Sequence, residues 1–280
     1  MRLASLLREA LKDRREVGSR FALAGLMADG GRLTSPIRLR ARSGAGSAAG
    51  GGETSCHCGP REPIVARHRN SDFDVLRQIF RDREYDLSLF PAAFQRLDAA
   101  RKAMIDAGVK PVIVDAGANI GAASRWFREQ FPGAAVVAIE PDPGNAAVLR
   151  RNLAGCADAV VMEAAIGAET GHVALTCTEG DGWGVRTERT NDGIPVVTVN
   201  DAVAAVPNGE LLMVKVDIEG FEIDLFARNT GWLARTHAVL IEPHDWMLPG
   251  KGTSRSFQRA MAEHDFEMLL RGENLFYVRP

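Results

Sequence analysis

The segment that most constrains the fold is Pro111 to Asp142, PVIVDAGANIGAASRWFREQFPGAAVVAIEPD. Val112, Ile113 and Val114 form a short apolar, β-branched run, the pattern of a strand buried on both faces. Asp115 to Gly121 interrupts that run with two glycines and Asn119, residue types that tolerate positive φ. Helical spacing begins at Ala122 and runs to Phe131, and Pro132-Gly133 ends it. Ala135 to Ile139 is a second apolar strand that stops on Glu140. Strand, glycine turn, helix, strand is one βαβ unit. It predicts a doubly wound, Rossmann-like α/β fold with ligands at the carboxyl ends of the strands.

The same unit carries chemistry. Gly117 and Gly121 let a backbone approach a ligand, and the helix behind them turns its free N–H groups toward it. Glu140, at the tip of the neighbouring strand, is placed to accept both hydroxyls of a ribose. A nucleoside-bearing cofactor is the expectation. A dinucleotide fingerprint would read G-x-G-x-x-G; here the turn reads Gly117-x-Asn119-x-Gly121, with Ala122 where the third glycine belongs. Asp115 at the mouth of the turn repels a pyrophosphate and attracts an ammonium group. A nicotinamide oxidoreductase is therefore the weaker alternative, and a non-catalytic cofactor-binding module is a second one.

VDAGANIG with IEPD beyond it resembles the first two motifs of class I S-adenosylmethionine-dependent methyltransferases. AAIG (Ala164–Gly167), VKVDIEGFE (Val214–Glu222) and IEPH (Ile241–His244) resemble the FkbM family of O-methyltransferases, with the likeness running from about Phe73 to the C-terminus. The resemblance implies S-adenosyl-L-methionine as cofactor and a hydroxyl acceptor on a small molecule, sugar or glycan. It also implies that Ala165 and its neighbours line the adenine through backbone groups. Asp115, Gly117, Asn119, Gly121, Glu140, Asp142 and Asp217 complete the expected cofactor set.

The chain in order gives three regions. Residues 1–53 combine an amphipathic helix (Leu3, Leu6, Leu7, Ala10, Leu11) with the Gly/Ser/Ala-rich stretch Ser43 to Glu53, which reads as a flexible linker. Residues 54–110 read as a helical prelude covering the cleft, with Tyr85 either on that cleft or in the core. Residues 111–280 form the cofactor-binding domain. Net charge helps locate the arm: residues 1–70 hold 13 Lys/Arg and 6 Asp/Glu, +7, against −2 for the whole chain and hence −9 for the rest. No aromatics interleave those arginines, so nucleic-acid binding is not expected. No apolar run reaches the length of a membrane span. Four cysteines without framework spacing suit a reducing cytoplasm, and Cys56-His57-Cys58 lacks the second ligand pair that a zinc site needs.

Further strands are expected at Asp158–Ile166, Leu211–Val216 and Ala238–Ile241. β-Hairpins are expected over Gly171–Val199, with Asp181–Gly184 as a loop in which Trp183 is a lid or a local packing residue. An antiparallel C-terminal hairpin is expected over Phe266–Val278. Asp115, Glu140, Asp217, Glu242 and His244 all fall at strand ends that converge on one crevice. A hydroxyl nucleophile must lose its proton, and His244 is the first candidate base because imidazole titrates near neutral pH. Asp217 is an alternative base or the partner of the cofactor's amino group. Glu219 is read as facing the crevice and Glu222 as pairing with surface charge. Asp217, Glu242 and His244 together admit a divalent metal, though their spacing does not call for one. The acceptor and the oligomeric state are not legible.

Overall fold

A computed structural model describes residues 38–40, 53–57, 63–67, 71–177 and 185–280. The chain divides into two compact units, Met1–Phe80 and Arg81–Pro280. The N-terminal amphipathic helix, Cys58 and the Asp181–Gly184 loop with Trp183 lie outside the described residues.

The first unit contains a three-stranded antiparallel sheet of β1 (Arg38–Arg40), β2 (Glu53–His57) and β3 (Pro63–Arg67), then the short helix α1 (Asp72–Leu76). Two expectations are corrected here. The region 54–110 is not helical from its start, because Pro63-Ile64-Val65-Ala66-Arg67 alternates buried and open positions, the period of a strand. The Gly/Ser/Ala-rich stretch joins two strands that pair, Arg38 opposite His57, so it does not simply set an arm apart from the fold. Asp72 is buried and accepts from the Arg67 backbone N–H at 2.7 Å and from its guanidinium at 2.9 and 3.0 Å, which ties α1 to the end of β3.

The second unit is built on a seven-stranded sheet. It contains β4 (Lys110–Ala116), β5 (Ala135–Ile139), β6 (Ala159–Met162), β11 (Gly209–Val216), β12 (Ala238–Ile241), β13 (Glu267–Arg271) and β14 (Asn274–Val278). Their order is β13-β14-β12-β11-β4-β5-β6. All neighbours are parallel except β14, which runs antiparallel to β12 and β13. Val112, Ile113, Val114, Val136, Val137 and Val214 are fully buried, as central parallel strands covered on both faces require. The chain leaves β4 toward β5 and β6 and returns on the other side as β11. The order therefore reverses between β4 and β11, and the crevice opens there. This is a doubly wound, Rossmann-like sheet, mostly parallel with an antiparallel C-terminal pair.

Helices flank it: α2 (Pro91–Asp106), α3 (Ala122–Gln130), α4 (Pro143–Asn152), α5 (Val199–Ala204), the single turn α6 (Glu222–Leu225) and α7 (Arg255–Ala262). None among the described residues is long and apolar enough to cross a membrane. A second sheet holds β7 (Ala165–Ile166), β8 (Gly171–Cys177), β9 (Val185–Thr190) and β10 (Ile194–Val197), in the order β7-β10-β8-β9. The single strand expected over Asp158–Ile166 is thus two. β5 ends at Ile139 opposite Met162, so beyond that point the chain has no partner left in the main sheet. Ala164 bonds the Glu140 carbonyl, and Ala165 then pairs with Val196 of β10.

Candidate active site

The site lies where β4, β5, β11 and β12 end. Gly117 (φ 76°) begins the turn after β4, and a Cβ there would meet the Asp217 carbonyl oxygen at 1.8 Å. Only glycine allows the ends of β4 and β11 to close this tightly. Gly121 (φ 87°) caps α3, and a Cβ on it would strike Leu149 of α4 at 2.6 Å. Its role is packing, and it does not line the cleft. That corrects the expectation that both glycines serve the ligand.

The cleft is lined by Gly117 and Asn119 after β4, Glu140 and Asp142 after β5, Ala165 of β7, and Asp217 and Glu219 after β11, among others. Seven of the residues expected from the sequence thus meet in one depression. Glu140 is held by the backbone N–H of Asn119 (2.8 Å) on one oxygen, and by that of Asp142 (3.0 Å) and the Asn145 side chain (3.3 Å) on the other. Burial raises its pKa, and these donors and Lys215 counter the rise. Oε2, with its single donor, keeps a lone pair for a further one, whereas Oε1 already accepts two. Asp142 does double service, capping α4 by accepting from the Asn145 N–H at 2.7 Å.

Asp115 is not on the cleft. Its carboxylate is fully buried, accepts from Ser124 Oγ at 2.6 Å and faces Lys215 Nζ at 3.2 Å. The ammonium it attracts is the protein's own, which is a second correction. Lys215 is the one charge in the apolar run Leu211–Val216 of β11, and sequence pattern alone assigns it no role. Its Nζ donates to the carbonyls of Gly117 (2.7 Å) and Ala116 (3.3 Å), lies 3.5 Å from Asp217 Oδ2 and sits 5.7 Å from the Tyr85 ring centre. Burial opposes its charge, but Asp115 and Asp217 outweigh burial and its pKa is raised. It stays a cation and pins the glycine turn. Tyr85 is buried and donates to Asp217 Oδ2 at 3.4 Å; burial and the surrounding carboxylates push its pKa up, so it remains a neutral donor.

Asp217 also faces away from this cleft, toward the end of β12. His244 Nε2 lies 3.6 Å from Asp217 Oδ1 and 3.7 Å from Glu242 Oε1, and its Nδ1 lies 2.8 Å from Glu222 Oε1. Glu222 is 1% exposed. It is therefore no surface charge, contrary to expectation: the helix begins only at Glu222, and that residue and Leu225 take its buried side while Ile223 is exposed. Glu219 precedes that helix with φ 51° and lines the cleft. Burial disfavours the charged form of His244, but the Glu222 bond and the charges of Glu222, Asp217 and Glu242 prevail, raising its pKa to about 9. Burial, together with Asp217, lifts Glu242 to about 7. Asp217, Glu242 and His244 offer ligand atoms within 4.8 Å of one another, a spacing that accommodates either a proton relay or a cation.

The model of the FkbM methyltransferase domain matches residues 115–270, more than half of the chain. Methyltransferase sdnD of Sordaria araneosa is 36% identical over 80 residues, covering 29% of this chain and 24% of that protein. Methyltransferase 1 of Beauveria bassiana (strain ARSEF 2860) is 25% identical over 177 residues, 54% of this chain and 64% of that one. The chain thus spans less than two thirds of either relative. Among solved structures, O-methyltransferase TomG from Streptomyces achromogenes in complex with SAM aligns over 68% of this chain and 80% of its own, at 14% identity and a TM-score of 0.38. Cofactor-bound Rv0187 from MTB aligns over 69% and 80%, at 16% identity and a TM-score of 0.40. By the family model, and in keeping with its strand order and its motifs, the chain belongs to the FkbM methyltransferase family.

Proposed function

We propose that the chain transfers a methyl group from S-adenosylmethionine to a hydroxyl of a small molecule, sugar or glycan. One observation carries this reading: Asp217 belongs at once to the nucleoside-type cleft around Glu140 and to the proton-accepting cluster around His244. A cofactor in the first is thereby set beside a base in the second. When bound, the cofactor supplies an activated methyl on sulfur. The protein's task is then alignment, exclusion of water and removal of the acceptor's proton.

Glu140 takes the ribose hydroxyls, with its donors keeping the carboxylate oriented. Ala165 would line the adenine through backbone groups, and Asp217 or Glu219 would meet the amino group. On the other side, His244 Nε2 receives the acceptor's proton, with Glu242 as the neighbouring carboxylate. A histidine raised to about 9 holds its proton at neutral pH, so it works as a base only once that proton has left. A further positive charge brought to the crevice would favour that loss, because like charges lower the pKa of an imidazolium. Trp246, 62% exposed with its ring 6.5 Å from the His244 ring, offers a stacking face for a sugar or a planar acceptor.

Calorimetry of S-adenosylmethionine binding tests the cofactor half. A screen of sugars and small alcohols for release of S-adenosylhomocysteine tests the hydroxyl half. Binding of NAD in preference to S-adenosylmethionine would overturn the first, and methylation confined to amines the second.

A further inference from the structure

Glu222 has no place in the reaction as drawn so far. It is the first residue of the single-turn helix α6, between the end of β11 and the rest of the domain, and it is 1% exposed. Its Oε1 meets His244 Nδ1 at 2.8 Å and accepts weakly from the Ile218 N–H at 3.4 Å, while Oε2 is buried without a hydrogen-bond partner. Burying a carboxylate in this way costs free energy unless it is paired, and the cation that faces it is His244. An apolar side chain of similar volume would fill the same space at no such cost. A charge kept at this expense, on the far side of a ring whose other nitrogen lies near both Asp217 and Glu242, has the arrangement of an orienting group.

We propose that Glu222 is a positioning residue that keeps a proton on His244 Nδ1, so that Nε2 is the atom that exchanges a proton with the acceptor. The proposal deepens the reading of His244 as the base and rests on it. An imidazole has two tautomers, and the bond made by one nitrogen selects which atom the other presents. With Nδ1–H donating to Glu222, the neutral ring presents a lone pair on Nε2, between Asp217 and Glu242. In the transfer, the acceptor's O–H bond breaks and an Nε2–H bond forms, while a C–O bond forms and the methyl–sulfur bond breaks. The products are a methyl ether, a thioether and an imidazolium. Glu222 stabilises that imidazolium from behind, and the proton then passes from Nε2 to solvent. The groups that face His244 are Glu222 from α6, Asp217 past β11 and Glu242 past β12. Lys215 and Tyr85 act at one remove, through Asp217.

The test uses the full chain with isotope-labelled histidine, and needs no acceptor. Above the titration of His244, nitrogen shifts of the parent report the neutral tautomer; the expected form carries its proton on Nδ1. The Nε2–H form would overturn the proposal, and this measurement does not depend on any variant folding. In Glu222→Gln, the His244 titration should move down by about one pH unit or more, since an adjacent carboxylate charge is lost. An unmoved titration would overturn it equally. Calorimetry with S-adenosylmethionine on the same samples tests the methyltransferase reading separately. Failure to bind defeats that reading, whatever tautomer His244 shows.

Discussion

The motif Ile-Glu-Pro occurs twice, Ile139-Glu140-Pro141 after β5 and Ile241-Glu242-Pro243 after β12, and the two glutamates meet different partners. Both are partly or wholly buried at the carboxyl ends of parallel strands. Glu140 leads into Asp142 and the first turn of α4, and N–H donors meet both its oxygens. Glu242 leads into His244 and a run of turns, faces Asp217, and its pKa rises to about 7. Position in the sheet brings a carboxylate to the crevice. The segment C-terminal to each glutamate decides which groups meet it, N–H donors at Glu140 and Asp217 with His244 at Glu242.

The sharpest way to break that contrast is His244→Ala. Removing the proton acceptor should lower turnover about 10²–10⁴-fold, read as release of S-adenosylhomocysteine with a hydroxyl acceptor found by screening. Cofactor affinity should hold within about twofold, since the base contributes only once the acceptor is bound. Equal losses in both would make His244 part of the cofactor site and erase the distinction.

The next effect is on stability. A histidine whose folded pKa is about 9 stabilises the fold fully below its unfolded value near 6.5. That contribution, on the order of 3 kcal/mol at most, is lost as pH rises toward 9. The melting temperature of the parent should therefore fall more steeply between about pH 6.5 and 9 than that of His244→Asn. Parallel curves would mean that the three carboxylates do not hold His244 as a cation.

The smallest expected effects are a displaced proton and a null result. S-adenosylmethionine binding near pH 8 should release protons from His244, seen as different calorimetric heats in buffers of different ionisation enthalpy; identical heats would leave the proton where it was. Prolonged chelation should leave turnover unchanged. Lost activity that Mg²⁺ or Mn²⁺ restores would replace the proton relay at Asp217, Glu242 and His244 with a metal centre.

How much of the molecule is legible in its sequence depends on the range of the interactions. β4, β5, β11 and β12 are readable because central parallel strands need unbroken apolar runs, and Gly117, Asn119 and Glu140 are readable because their spacing within one βαβ unit fixes their geometry. Lys215 is visible as the one charge in the apolar run Leu211–Val216, but its partner Asp115 is 100 residues away in sequence, and the sequence alone suggests a ligand there instead. Glu222 is misplaced by sequence because its direction depends on where a four-residue helix starts, which no periodicity reveals. The split of Asp158–Ile166 is hidden for a similar reason: both halves are apolar, and only the length of β5 decides where pairing ends.

The central claim is that two like glutamates divide binding from proton exchange, and calorimetry of S-adenosylmethionine with Glu140→Gln and Glu242→Gln tests it most directly. Glu140→Gln should cost about 1–3 kcal/mol, the range for charge-assisted hydrogen bonds. Glu242→Gln should stay within about 0.5 kcal/mol of the parent. Equal losses in the two variants, or the larger loss at Glu242, would contradict the account.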